Sequence, residues 1–385
     1  MSETFDRNET PAPAAAIAVE GLTFSYPQAK APVLRDLNWK VPRGAFAILV
    51  GGTGSGKSTL LSLLKPQIAP AGTREGSLAV GGVDVDRLDD AQSARSIGYV
   101  FQNPDNQIVC ESVWHEMAFC LENLGTPQDE MRRLIAETSY FFGIDDWFRQ
   151  STDSLSGGRK QLLALASTLV AQPSLLLLDE PTSQLDPVAE RNFLHALFRI
   201  NRELGCTVVV ATHAPRAMVD YATCAFELVD GQVREISDME ALRMREPLVD
   251  AGKTAPPRVQ GKDAPCALTF DDAWFRYDRD SPWVLRNLDL RVAKAQIHAL
   301  VGGNGCGKST LLTLAAGSSR LQRGKLRAAC ERRVLLPQDP RALFAAETTL
   351  DELMEWSGQL GYGEEEAHRL LEKLGLTAQG RVHPY

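Results

Sequence analysis

Residues 44–59 of the chain read Gly-Ala-Phe-Ala-Ile-Leu-Val-Gly-Gly-Thr-Gly-Ser-Gly-Lys-Ser-Thr. The apolar run from Phe46 to Val50 predicts a buried parallel strand, and Leu60 to Leu64 begins a leucine-rich helix. The glycines between them let the backbone come within hydrogen-bonding distance of a phosphate, and the amide groups at a helix start point at negative charge. The stretch therefore predicts the strand, phosphate-binding loop (P-loop) and helix of an α/β fold.

Within this loop, Lys57 would reach the β- and γ-phosphates of a nucleotide, and the Ser58 hydroxyl would bind Mg²⁺. A glycine-rich loop can also be a plain turn, but here the same phrase recurs at residues 302–310. The candidate nucleotide contacts of the two loops are Gly51, Gly52, Thr53, Gly54, Ser55, Gly56, Lys57, Ser58 and Thr59, and Gly302, Gly303, Asn304, Gly305, Cys306, Gly307, Lys308, Ser309 and Thr310.

Other residues repeat at the same distance as the two loops. Tyr26 and Tyr277 are 251 residues apart, and so are Lys57 and Lys308, as 308 minus 57 shows. A constant offset indicates that one unit has been duplicated in tandem. Each tyrosine could be only a strand aromatic, but an exposed ring ahead of a P-loop can also stack on adenine, and its repetition favours that role.

The bulk composition narrows the class of protein. A length of 385 residues predicts two or three domains, and 44% hydrophobic with 23% charged residues is ordinary for a globular protein. A net charge of −8 argues against nucleic-acid binding, which usually needs a basic face. The seven cysteines lack Cys-x-x-Cys spacing, and no apolar stretch is long enough to span a membrane. A reducing cytoplasm is the expected location.

Composition shifts along the chain predict the domain boundaries. Residues 1–16 are Pro/Ala-rich and resemble a disordered tail. Residues 17–238 then form a complete first domain. Residues 239–265 contain several prolines and little periodicity, so we expect a linker there. The second domain would occupy residues 266–385.

Two buried strands of the first domain end in groups that suit phosphate chemistry. Leu175 to Leu178 leads into Asp179 and Glu180, and Thr207 to Thr212 ends at His213. Ligands bind at the carboxyl ends of central parallel strands, so these side chains are expected near the phosphates. A lone histidine is more often structural, but this one follows the next core strand after the acidic pair.

A second group of candidate binding residues lies next to predicted helices in the sequence. A strand from Ser96 to Phe101 ends at Gln102, and Asn103 to Gln107 breaks regular structure. Glu111 to Leu124 then places its apolar residues on one helical face. Leu155 to Gln161 precedes an apolar helix from Leu162 to Ala171, and its Ser-Gly-Gly would by itself be only a turn.

Taken in order, these motifs resemble those of the ATP-binding cassette ATPases. The resemblance covers nearly all of the first domain and implies an α/β fold, a P-loop NTPase cassette with an antiparallel β subdomain and a helical signature subdomain, tandemly duplicated. Phe101 to Gln107 and the tandem arrangement are most similar to the duplicated ATP-binding subunits of energy-coupling-factor transporters. Those subunits drive the uptake of vitamins or of cobalt and nickel ions.

The resemblance also implies roles for individual residues. Two cassettes would close head to tail on ATP, with the P-loop of one facing the signature of the other, which is Leu155 to Gly158 in this chain. Lys57, Glu180 and His213 would be catalytic, and Ser58, Gln102 and Asp179 would hold Mg²⁺. Besides the two P-loops, the nucleotide contacts implied are Tyr26, Gln102, Leu155, Ser156, Gly157, Gly158, Gln161, Tyr277 and Gln338.

The function implied is that of an ATP-hydrolysing subunit that powers membrane transport. Its partners would be integral membrane subunits, namely a transmembrane coupling component and a substrate-binding component, with a second cassette possible in trans and no nucleic acid. It would be peripheral, on the cytoplasmic face of the plasma membrane. The alternatives are a tandem cassette acting on ribosomes or nucleic acid, which should carry a longer charged linker, and a non-hydrolysing regulatory remnant.

The second domain repeats the early elements of the first. A strand from Arg333 to Gln338 and helices from Thr349 to Trp356 and Glu364 to Leu374 are expected. Alignment of the two domains matches Tyr385 with Asp153, just ahead of where a second signature would begin. We therefore expect either a truncated second copy from a longer protein or pairing of two first domains in trans.

Overall fold

The structure is a computed structural model that describes residues 15–27, 29, 31–244, 265–303, 305–330, 332–337 and 343–376. These residues form two compact units, the first up to residue 244 and the second from residue 265. The predictions made for residues 1–14, for most of the linker, for Asn304 and Gln338, and for residues 377–385 lie outside the described residues.

The first unit alternates strands with helices. Its strands are β1 (Ala15–Ser25), β2 (Leu34–Pro42), β3 (Phe46–Val50), β4 (Thr73–Val80), β5 (Val83–Asp84), β6 (Ile97–Val100), β7 (Leu175–Asp179), β8 (Thr207–Thr212), β9 (Cys224–Val229) and β10 (Gln232–Glu235). Its helices are α1 (Lys57–Leu63), α2 (Asp90–Ser96), α3 (Val113–Asn123), α4 (Gln128–Phe142), α5 (Gly157–Leu169), α6 (Pro187–Leu204) and α7 (Met239–Met244).

One layer of this unit is an antiparallel sheet with the strand order β2-β1-β4-β5. The sequence predicted several short strands between Ile17 and Trp39, whereas β1 is one long strand whose register shifts between Val19 and Leu22. The shift keeps apolar side chains on the buried face across the irregularity. Ala15 pairs with Pro42, so the end of the predicted tail belongs to β1.

The second layer is a six-stranded sheet with the order β10-β9-β3-β8-β7-β6. β3 lies between β8 and β9, β7 lies between β8 and β6, and all of these pairs are parallel. Every residue of β3 and β8 is buried, as expected for parallel strands covered on both faces. The carboxyl ends of β3, β7 and β8 therefore meet at one edge of the sheet.

The core of the first unit lies on both faces of this sheet. Leu49 faces a cluster that includes Leu60 of α1 and the antiparallel layer. Its neighbour Ile48 faces the opposite cluster, which includes Leu165 of α5 and Leu197 of α6. This alternation along one strand fixes the sheet between two layers, so its carboxyl edge is held rigidly.

The helical part is formed by α3 and α4 packed against α5. The sequence predicted that this last helix begins at Leu162, but it begins at Gly157. The reason is a local cap: the Ser156 hydroxyl accepts a hydrogen bond from the backbone amide of Arg159. The Ser-Gly-Gly sequence is therefore the start of a helix, and its amides are exposed at that end.

Helix α7 occupies the first residues of the predicted linker. Leu242 is 1% exposed and packs in the same cluster as α6, with Met239 beside it. Arg243 forms an ion pair with Asp220. Apolar residues one turn apart give the helix a buried face. The first unit therefore extends beyond residue 238, where the sequence placed its end.

The second unit repeats the antiparallel layer and the P-loop helix. Its sheet has the order β12-β11-β13. A small core, which includes Phe270 and Leu314, joins this sheet to the P-loop helix. The elements are β11 (Cys266–Phe275), β12 (Leu285–Ala293), β13 (Arg323–Ala328), α8 (Lys308–Ala316), α9 (Thr349–Glu355), α10 (Ser357–Leu360) and α11 (Glu364–Lys373).

The predicted strand from Arg333 to Gln338 is wrong for residues 333–337, which form no regular strand. Residues 297–301, which correspond to β3, also lie outside any strand, and Val301 and Val334 are 90% and 95% exposed. In the first unit β3 pairs with β8 and β9, and β6 pairs with β7. The described part of the second unit has no strands corresponding to β7, β8 and β9, and an unpartnered strand leaves its backbone groups unpaired.

Candidate nucleotide-binding site

The first P-loop is closed by contacts that only glycine permits. Gly56 precedes α1 with a φ of +102°, and a Cβ there would lie 2.9 Å from Cγ1 of Val33. A Cβ on Gly51 would lie 2.6 Å from Oγ of Ser55. The loop therefore folds back tightly between β3 and α1, which leaves its backbone accessible to a phosphate.

Lys57 lies inside this loop and is 6% exposed. Its Nζ donates hydrogen bonds to the backbone oxygens of Gly51, at 2.9 Å, and Gly52, at 3.1 Å. The ammonium group is thus held by carbonyl groups at the position where phosphate oxygens would compete for it. A charged donor prefers an anionic acceptor to a neutral carbonyl, so bound phosphates would draw it out.

Glu180 connects the P-loop to the end of β8. Its Oε1 lies 3.6 Å from Nζ of Lys57, and its Oε2 lies 2.9 Å from Nδ1 of His213. Its backbone has a φ of +45°, a conformation that costs a non-glycine residue about 1–3 kcal/mol. The backbone amide of Glu180 donates to the oxygen of Ala211 at 2.9 Å, which holds the residue there. Glu180 therefore contacts both of the other residues predicted to be catalytic.

Asp179 has the properties of a ligand for a hydrated cation. Burial raises the pKa of its carboxyl above the usual range, while a hydrogen bond from Ser58 and the charge of Lys57 lower it. Its Oδ1 is buried and has no hydrogen-bond partner among the described residues. Mg²⁺ prefers carboxylate, hydroxyl and water oxygens. The Ser58 hydroxyl and this unpartnered oxygen therefore fit Mg²⁺.

The tyrosine ahead of the P-loop is anchored to α1. The hydroxyl groups of Tyr26 and Thr59 lie 2.9 Å apart, and the ring packs edge-on against Phe24 at 5.1 Å. The ring is 39% exposed, so one face remains available for stacking. A cleft of about 730 Å³ runs beside the P-loop, lined in part by Val33 and by residues 229–231.

The remaining candidate residues of the first unit follow β6 or lie near the start of α5. Gln102 is exposed just after β6, and Ser156, Gly157 and Gly158 lie at the start of α5. Gln161, a predicted nucleotide contact, is 2% exposed, and its Nε2 donates to the oxygen of Phe101 at 3.4 Å. Leu155, another predicted contact, is buried in the core between α3 and α5.

The second P-loop repeats much of this geometry. Nζ of Lys308 donates to the oxygen of Gly302 at 2.9 Å, and the hydroxyls of Tyr277 and Thr310 lie 2.8 Å apart. Cys306 occupies the place of Ser55, with its Sγ 3.9 Å from Nζ of Lys308. Gly303, Gly305, Gly307 and Ser309 lie in the same loop and helix start.

Sequence reasoning missed two features near the site. Residues 229–231 line the cleft, and the Asp230-Gly231 turn after a strand was the available signal. Gln107 and Lys160 link the segment after Gln102 to α5. The second glutamine of Phe101–Gln107 was visible in the sequence, but its partners on α5 are distant in the chain and have no local signature.

The chain belongs to the ABC transporter family, whose model matches residues 34–183 and 285–383. A protein of Bacillus cereus, named as an ABC transporter ATP-binding protein, is 36% identical over 421 residues, which cover 95% of this chain and 76% of the relative. The protein of Bacillus subtilis named as the HMP/thiamine import ATP-binding protein YkoD is 28% identical over 419 residues, covering 96% and 76%.

A solved structure gives the same assignment. It is the cbiO1 protein of Clostridium perfringens, described as part of the ABC transporter complex cbiONQ. It matches with a TM-score of 0.55 and 30% identity, over 60% of this chain and 92% of that chain. The mixed α/β fold is thus a P-loop ABC cassette that occurs twice, and the chain is an ATP-binding ABC ATPase. No helix in the described ranges is long and apolar enough to cross a membrane.

Proposed function

We propose that this chain hydrolyses ATP to drive an importer of the energy-coupling-factor type, which takes up a vitamin or cobalt or nickel ions. The contact of Glu180 with both Lys57 and His213 is the observation that carries the hydrolytic part. Import is supported by the name of one similar protein, an HMP/thiamine import ATP-binding protein, and a transport role by another, which is part of the ABC transporter complex cbiONQ. The tandem P-loops agree with the duplicated subunits of such importers.

In this proposal the P-loop amides bind the phosphates and Lys57 leaves the oxygens of Gly51 and Gly52 to neutralise their charge. Ser58, Gln102 and, through water, Asp179 would hold Mg²⁺, which supplies further charge neutralisation. Glu180 would accept a proton from the attacking water. His213, whose Nδ1 lies 2.9 Å from Oε2 of Glu180, would orient that carboxylate and would also contact the γ-phosphate.

The signature would act across an interface between two cassettes. Ser156 and the amides of Gly157 and Gly158 form the exposed beginning of α5, where the backbone dipoles favour an anion. Placed against the γ-phosphate of an opposing P-loop, these donors would stabilise the charge of the transition state. The opposing P-loop would be that of the second unit or of another copy of the chain.

We further propose that α3 presents the docking surface for a membrane partner, which would hold the protein at the cytoplasmic face of the plasma membrane. Trp114 and Phe119 are about half exposed, and Val109 precedes the helix at 64% exposure. These exposed apolar side chains, all within residues 109–119, support a contact surface in this part of the molecule. They lie just after Gln102, which would transmit nucleotide occupancy to this surface.

Co-purification tests the docking proposal. We expect W114E and F119E to lose integral membrane proteins that co-purify from detergent-solubilised membranes, while ATP affinity is unchanged. Y140E is the matched control, because Tyr140 is 83% exposed on α4. Equal recovery with all three variants would contradict the docking surface. Recovery of the unaltered chain with ribosomes instead of membrane proteins would contradict the transport proposal.

A further inference from the structure

One side-chain amide joins the segment after β6 to the helix that carries the signature. Oε1 of Gln107 accepts a hydrogen bond from the backbone amide of Phe101 at 3.1 Å. Its Nε2 donates to the oxygen of Ala164 at 3.2 Å and to Oγ1 of Thr168 at 2.9 Å. We call this set of three hydrogen bonds the Gln107 bridge. Since Ala164 and Thr168 lie on α5, the bridge connects two elements that are far apart in the chain.

Neighbouring contacts follow the same face of α5. Nζ of Lys160 lies 2.6 Å from Oδ1 of Asp105, and Gln161 donates to the oxygen of Phe101. Positions 160, 164 and 168 are four residues apart, and position 161 is three residues from 164, so these contacts lie on one side of α5. The Gln107 bridge is therefore the carboxyl-terminal member of a row of contacts between the segment and α5.

β6 also packs closely against α5 at this place. A Cβ on Gly98 of β6 would lie 2.7 Å from Cγ2 of Thr168. The Thr168 side chain therefore packs directly on the backbone of Gly98, and a shift of one element against the other would lose this contact. Displacement of one element is passed to the other through packed atoms as well as through hydrogen bonds.

The two elements that the Gln107 bridge joins, the segment after β6 and α5, have different proposed functions. Gln102, next to Phe101, is placed to respond to the γ-phosphate bound in its own cassette. Ser156 begins α5 and would contact the γ-phosphate of the opposing cassette. A rigid helix carries a displacement along its length. Gln107 is hydrogen-bonded to α5 at Ala164 and Thr168, which lie beyond the first turn of that helix. The bridge thus lies between Gln102, which would sense the γ-phosphate of one ATP site, and Ser156, which would donate to the γ-phosphate of the other.

We propose that Gln107 is a positioning residue that couples the two ATP sites. It makes the segment from Phe101 to Gln107 and helix α5 move together, so that ATP on the first P-loop orients the signature for the opposing P-loop. This inference rests on the proposed use of the signature across a cassette interface. Gln107 itself contacts neither nucleotide.

The test is hydrogen exchange of the full chain with and without ATP and Mg²⁺, followed separately at residues 51–58 and 156–160. In the unaltered chain we expect ATP to change exchange in both segments. Q107M keeps the shape of the side chain but removes the bridge. It should keep the response at residues 51–58 and lose the response at residues 156–160. Turnover should fall by about 2- to 30-fold at nearly unchanged KM, the range typical of coupling residues.

Two further variants separate coupling from a general loss of stability. T168V removes one partner of the bridge and leaves the oxygen of Ala164, so we expect an intermediate loss. Q67M is the matched control, because Gln67 also makes two side-chain hydrogen bonds, to Asp90 and Ser93, but contacts neither the segment nor α5. Q67M should retain both exchange responses, and a loss equal to that of Q107M would overturn the inference.

The outcomes distinguish this inference from the proposed function. A full response at residues 156–160 in Q107M, or no such response in the unaltered chain while residues 51–58 respond, would overturn the coupling role alone. No response at residues 51–58 in the unaltered chain would overturn ATP binding at the first P-loop, and the coupling role with it. The inference is supported if Q107M loses the ATP response at residues 156–160 and keeps the response at residues 51–58. T168V should then show a response between those of Q107M and the unaltered chain.

Discussion

The two P-loop units contain the same contacts within the loop but differ in the secondary structure that precedes it. In each, a lysine donates to the first glycine of the loop at 2.9 Å, and a tyrosine hydroxyl contacts a threonine of the following helix. In the first unit the loop leaves a fully buried strand, β3, whereas the corresponding residues 297–301 of the second unit are in no strand. The same lysine and tyrosine contacts are therefore present in the two loops, although the residues before the loops differ in secondary structure.

The catalytic contacts depend on distant parts of the chain. Glu180 and His213 follow β7 and β8, which reach the P-loop only because they pair into the sheet beside β3. The described part of the second unit has no strands corresponding to β7 and β8. The P-loop contacts thus lie within one short motif, whereas the proposed catalytic contacts of Glu180 require β3, β7 and β8 to pair.

The largest effect is expected from E180Q. The amide cannot take a proton from water, so turnover should fall by about 10²- to 10⁴-fold while ATP still binds. Steady-state hydrolysis and equilibrium binding of ATP, measured on the same preparation, check this. E137Q is the control, because Glu137 lies in an exposed ion pair on α4. Normal turnover in E180Q would remove Glu180 from its catalytic role.

A smaller effect is expected on the free energy of unfolding, and it should differ between equivalent leucines of the two units. Leu49 is fully buried in β3, and its counterpart Leu300 is 44% exposed. L49A should lower the free energy of unfolding of the first unit by about 2–5 kcal/mol, because it leaves a cavity. L300A should change stability by less than about 0.5 kcal/mol. Native-state hydrogen exchange resolves each unit, and equal losses would contradict the difference in burial.

Much of this arrangement could be predicted from sequence because it is local. The apolar runs gave β3, β7 and β8 nearly to the residue, since a parallel strand buried on both faces has no polar positions. The P-loop was predicted in both units from glycine spacing. The family assignment followed from the order of the motifs and is confirmed by the family model.

The rest depends on contacts that a local pattern does not contain. The start of α5 was misplaced because its cap, Ser156, looked like a turn, and the strand from Arg333 failed because its apolar pattern says nothing about whether partner strands are present. The Gln107 bridge joins residues 57 and 61 positions apart in sequence, so no periodicity reveals it. The catalytic, Mg²⁺ and signature roles of individual residues stay predictions.

We expect both P-loops to bind nucleotide and ATP hydrolysis to depend on the first. K57A and K308A remove the equivalent lysine from each loop, and ATP hydrolysis by the full chain compares them directly. K57A should lower turnover by about 10²-fold or more, because the lysine beside Glu180 stabilises charge in the transition state. K308A should cause a much smaller loss. Equal losses in the two variants, or a larger loss in K308A, would contradict the account.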